Sequence, residues 1–167
     1  MAKVKTKKID FIAFLEQFPL LEPPILLGED SHHAFSKANL PIPLALISHY
    51  LIPIDGEEPD ENTEFIACFR LDGLKDIHAI VYWKAGLLNY NYVLVTFDKA
   101  GNMIEKRVIA GTFYDGEKLT QSVATIDEDW MISIASGQSS SHSSGFSATE
   151  STAYQLEILP DGTIINA

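Results

Sequence analysis

The sequence predicts an α+β fold, with two N-terminal helices packed on a curved, mostly antiparallel β-meander of about eight strands. Three observations predict it. From Glu64 onward the chain breaks into short apolar runs rich in β-branched and aromatic residues, separated by turns built on Gly and Asp. That half holds no helical stretch long enough to carry a parallel crossover, so its pairing should be antiparallel and mostly sequential. Helical spacing of apolar residues is confined to two segments before residue 54.

Residues 1–8 carry Lys3, Lys5, Lys7 and Lys8 and read as a disordered basic tail, leaving 9–167 as one domain with a helical part at 9–54 and the meander at 63–167. Asp10 suits an N-cap, and Phe11, Ile12, Phe14, Leu15 and Phe18 then fall on one helical stripe that Pro19 ends. Residues 19–41 hold Pro19, Pro23, Pro24 and Pro41 with Gly28 and should run extended over the surface. A second helix fits Pro43 to Leu51, with Leu44, Ile47 and Leu51 on one face and Leu46 and Tyr50 beside it, stopped by Pro53. The stretch Asp55 to Glu64 has six acidic residues in ten and must be a solvated loop.

Strands follow near 64–71, 77–84, 90–97, 103–110, 118–126, 130–135, 152–159 and 163–166. Clean alternation sets Trp130, Ile132 and Ile134 on one face, and Tyr154, Leu156 and Ile158 likewise. The run Tyr92 to Phe97 is apolar on both faces, as a strand covered on both sides requires.

Composition narrows the function classes. The chain has 167 residues, 12 basic and 23 acidic, for a formal net charge of −11. Such a field repels phosphate backbones and argues against a nucleic-acid partner, while favouring a basic protein. The single cysteine, Cys68, excludes an intrachain disulfide and lies in an apolar run, where it reads as a buried, inert thiol. No apolar run reaches the roughly 18 to 20 residues of a membrane helix, so the expectation is a soluble, cytoplasmic protein without a membrane partner.

Catalytic and cofactor signals are weak throughout. Gly137-Gln138-Ser139-Ser140-Ser141 lacks the second Gly of a nucleophile elbow, and the serine-rich 136–151 reads as a flexible polar loop. His32 and His33, adjacent on an extended chain, diverge too far to share a metal ion. His78 lies inside a strand and reads as a packed or edge residue rather than a catalytic base. The acidic loop lacks the ligand pattern of a calcium loop, and no phosphate-cradling glycine motif is present. The reading therefore carries no catalytic residue, no metal and no cofactor, and leans away from an enzyme.

The meander itself orders the search. If strands alternate up and down, turns 72–76, 98–102, 127–129 and 160–162 share one end, and connections 85–89, 111–117 and 136–151 share the other with loop 55–64. Longer loops on a rigid scaffold favour binding. That second end gathers Trp83, Tyr90, Tyr92, Phe113, Tyr114, His142 and Phe146 with the acidic Glu58 and Asp60, aromatics and carboxylates suited to gripping a protein, a basic one above all, or a sugar. A small-molecule binder, or an enzyme with a dispersed site in the mouth of the curled sheet, is the alternative.

Overall fold

The computed structural model describes residues 11–140 and 151–167; the expected tail at 1–8, His142 and Phe146 lie outside them. Residues 11–16 form α1, which buries Phe11, Phe14 and Leu15 with Phe18 just beyond it and leaves Ile12 exposed. The Phe14 ring stacks on Tyr50 at 4.7 Å, and Phe11 meets Phe97 edge-on at 5.4 Å. Burying each such ring contributes about 2–3 kcal/mol.

Residues 19–41 are less irregular than their prolines suggest. They supply β1 (Leu20–Leu21), β2 (Ile25–Leu27) and a helix α2 (Ser31–Ala38). Prolines fall between these short elements, at 19, 23, 24 and 41, so each element ends before a proline would remove a needed N–H. Helix α2 escapes a periodicity search because it has no buried residue and only Phe35 as a sizeable apolar anchor.

The second expected helix runs further than expected. It comprises α3 (Leu44–Leu46), a π-helical turn (Ile47–Leu51) and α4 (Ile52–Asp55), ending at Gly56 with φ 83°. Pro53 does not stop it, because it falls in the first turn of α4, where its missing N–H costs little. The Ile52 N–H reaches the Ile47 carbonyl, and this wider turn rotates the buried face to Leu46, Leu51 and Ile54, turning Leu44 out to solvent.

The meander follows as β3 (Glu64–Leu71), β4 (Ile77–Ala85), β5 (Asn89–Asp98), β6 (Met103–Tyr114), β7 (Lys118–Ile126), β8 (Met131–Ser140), β9 (Thr152–Ile158) and β10 (Ile164–Asn166). All neighbours from β3 to β10 pair antiparallel in sequence order. Strand β1 adds to β3 in parallel and β2 pairs with β7, giving, among the described residues, a ten-stranded sheet that does not close. The protein is thus mostly antiparallel sheet with few helices.

Two irregularities shape the sheet. In β3 the register skips Cys68, so Cys68 and Phe69 both enter one core while Ala67 enters the other. Asn39, just after α2, donates its Nδ2 to the Ala67 and Cys68 carbonyls at 2.7 and 3.0 Å, pairing groups that the bulge would leave free. In β6, pairing with β7 covers only Gly111 to Tyr114; below Ser122 the edge of β7 is taken by β2. Gly111, at φ 151°, is the pivot, since a side chain there would strike the Tyr90 carbonyl oxygen.

Below that pivot the far end of the sheet folds back over β4 to β6. A side chain at the buried Gly162 would lie 2.5 Å from Ile104 Cδ1, and the Gly162 carbonyl accepts from the buried Thr96 Oγ1 at 2.6 Å. One core fills this curl with residues from β2 to β10, and a second lies between β3–β5 and the helices. Strand β5 serves both: Tyr92 and Leu94 face the first core, and Val93, Val95 and Phe97 the second. Among the described residues, no helix is long and apolar enough to cross a membrane.

Candidate functional site

The two ends of the meander gather their turns by alternation. Gly73 of the β3–β4 turn approaches the Trp130 ring of the β7–β8 turn, and Gly162 approaches Ile77 at the start of β4. At the opposite end, the register sets Ala85 beside Tyr90, Asn89 beside Phe113, Tyr114 beside Leu119 and Lys118 beside Ser140. Loop 55–64 reaches the same end through Lys84, whose Nζ lies 2.5 Å from Asp55 Oδ2 and 3.0 Å from Glu57 Oε2.

The connections there are shorter than expected. Strand β6 runs to Tyr114 and β8 to Ser140, so Phe113, Tyr114 and Ser136 to Ser139 are strand residues rather than loop. Polar composition suggested a loop at 136–140, but backbone pairing with Lys118 to Ser122 overrides it, aided by the Ser122 and Ser136 hydroxyls 3.0 Å apart.

On the inner face, Trp83 of β4 and Tyr90 and Tyr92 of β5 come together, because residues 83, 90 and 92 share one side of the pleat. A residue not assigned there from the sequence completes the group. His32, in the first turn of α2, lies parallel to the Trp83 ring at 4.5 Å, with Tyr90 tilted at 5.4 Å from His32 and 5.6 Å from Trp83. The loop before α2 is tied down by the Tyr92 hydroxyl, which donates to the Gly28 carbonyl at 3.3 Å, and by the Gly28 N–H, which donates to Ser31 Oγ at 2.8 Å.

Among the described residues Trp83 Nε1 is buried without a hydrogen-bond partner; His32 Nδ1 is buried too, with the Glu29 backbone the nearest group to hydrogen-bond the ring. Burial holds the His32 imidazole below its ordinary value, with neighbouring His33 adding to the effect; the Glu29 backbone, Asp30 and Glu64 pull the other way without prevailing. At pH 7, already above the ordinary imidazole value, His32 is therefore mostly neutral. Burial also pushes the Tyr92 hydroxyl and the Cys68 thiol well above their ordinary ranges, which leaves Cys68 unreactive.

The other expected site residues stand apart. Tyr114 donates its hydroxyl to the Gly116 carbonyl at 2.9 Å and makes no ring contact with Trp83 or Tyr90. Asp60 holds its own loop, accepting from the Asn62 N–H at 2.8 Å and the Thr63 hydroxyl at 3.2 Å, while Glu58 is exposed. His32 and His33 are adjacent on a helix, not on an extended chain, with ring centroids 4.0 Å apart. Among the described residues no group of three or more His, Cys, Asp or Glu is placed to hold a metal ion.

On the outer face of the same strands, residues 82, 84, 89, 91 and 93 line a cavity of about 190 Å³ together with Asp55, Glu57, Lys106 and Val108. Lys84 bridges Asp55 and Glu57. Burial draws its ammonium down, but hydrogen bonds and charge from the two carboxylates outweigh this and hold it above its ordinary value. The buried Tyr82 hydroxyl donates to Asp55 Oδ1 at 3.4 Å and is raised by burial first and by the Asp55 charge second. Lys106 Nζ caps the end of α4, donating to the Ile54 and Asp55 carbonyls at 3.0 and 3.1 Å.

Comparison with known proteins gives no match to a family model, a curated protein or a solved structure.

Proposed function

We propose that the chain is a non-enzymatic binding protein whose inner aromatic group, His32, Trp83 and Tyr90, takes a segment of a basic protein partner. The carrying observation is Trp83 Nε1, buried under the parallel His32 ring with no hydrogen-bond partner among the described residues. Indole Nε1 can only donate, so a segment that uncovers it must bring an acceptor such as a peptide carbonyl. A lysine or arginine of the same segment would meet the half-buried Tyr90 ring and the Asp30 and Glu64 carboxylates, and a neutral His32 does not repel it. The net charge of −11 speeds the approach of such a partner.

Trp83 emission, read in a Trp130→Phe background so that it is the sole indole, tests this reading. Oligolysine should shift the emission saturably, more weakly as salt rises, and oligoglutamate should not. Tyr90→Ala should weaken oligolysine binding about fivefold, the factor that ~1 kcal/mol of cation–π contact represents. A flat titration, or equal binding by Tyr90→Ala, overturns the reading.

The polar cavity on the opposite face favours a second reading, a small-molecule binder. The cavities of about 540 Å³ on β7–β9 and about 570 Å³ at Phe11 and Tyr50 are lined neither by His78 nor by a carboxylate pair facing Trp83, and lend an enzyme reading no support.

A further inference from the structure

The cavity between loop 55–57 and the outer face of β4–β6 has features that a solvated ion pair alone does not require. Its walls include Asn89 and Asn91, two apart on β5 and therefore on one face, whose half-buried side-chain amides make no hydrogen bond among the described residues. Its charges balance, with Lys84 and Lys106 against Asp55 and Glu57. Lys84 is already held by both carboxylates, and Lys106 by two backbone carbonyls. With two charges of each sign, the cavity as a whole favours neither an anion nor a cation.

What is left is hydrogen-bonding capacity of both signs. Each asparagine amide has two N–H donors and an oxygen with two lone pairs, and each ammonium keeps one N–H beyond the two it uses. Val93 and Val108 add an apolar strip to this wall. Paired donors and acceptors beside an apolar strip match a molecule that carries hydroxyls around a C–H face. The volume, about 190 Å³, equals that of about six waters and suits one sugar ring.

We infer that this cavity is a binding site for a small, neutral, hydroxyl-rich molecule of monosaccharide size, with Asn89 and Asn91 as its recognition groups. It lies on the face of β4–β5 opposite the aromatic group, so it stands or falls independently of the basic-partner reading.

The full chain, labelled with ¹⁵N, would be titrated with D-glucose, D-galactose, D-mannose and myo-inositol, with inorganic phosphate and lysine as controls. At least one neutral probe should shift the Asn89 and Asn91 side-chain amide resonances saturably, while both controls leave them in place. Asn91→Leu should weaken that probe at least tenfold, with the dispersion of the backbone spectrum reporting that the variant is folded. Should that variant unfold, Asn89→Ala serves in its place, with the same tenfold criterion. No saturable shift with any neutral probe, a shift produced by phosphate or lysine instead, or a folded variant that binds as tightly as the parent would overturn the inference.

Discussion

His32 and His78 are the residues through which this protein should sense mild acid. Burial lowers both imidazoles from their ordinary value of 6.5; His33 adds to the effect at His32, against Asp30 and Glu64, and Lys99 and Arg70 add to it at His78. Below pH 6.5 the unfolded chain takes up protons that the folded chain resists, so folding stability is fully present above that pH and is lost as the pH falls toward the folded values. Urea midpoints measured between about pH 7.5 and 5.5 should decline on the acid side, and His32→Gln combined with His78→Gln should flatten that decline. His78 was legible as a strand residue, packed or at an edge, from its place in the apolar run 77–84; in the fold it is half-buried, with the Phe11 ring edge-on at 6.2 Å. The place of His32 was not legible, because it depends on α2, a helix with no periodic apolar face, and on a stack that only the folded chain assembles.

At the scale of elements, helix α4 is held less by its four residues than by what lies under it. Asp55 and Lys84 are largely buried, their side chains 9% and 17% exposed, and Lys106 holds the last carbonyls of the helix. Lys84→Met would leave the Asp55 carboxylate buried without its partner, and should cost roughly 2–4 kcal/mol in urea unfolding. Asp55→Leu together with Lys84→Met should recover part of that loss, because the stranded charge goes with its partner. The sequence made the acidic loop obvious and hid this pair, since Lys84 lies in an apolar strand and Asp55 reads as one more carboxylate in a charged run. Strand ends are hidden in the sequence for a related reason. Residues 111–114 and 136–140 lack an apolar run and are held in the sheet by backbone pairing, which composition does not record.

For the whole molecule, the sequence was most informative about order. Neighbouring strands pair in chain order from β3 to β10, and the double-sided apolar run of β5 announced that both its faces are covered. It was silent about β1 and β2, because two- and three-residue strands carry too few positions for a period to be read. The pairing of β2 with β7 also has consequences in time. Ile25 meets Ile126 across about a hundred residues of chain, whereas each hairpin from β3 to β8 closes over a handful. The meander can zip from neighbour to neighbour, but the slot that β6 vacates below Gly111 fills only once β7 is in place. That slot should therefore be the last part of the sheet to lock and the first to open. Native-state hydrogen exchange should register this as faster opening of the β2 amides that face β7 than of the amide of Leu94 in β5.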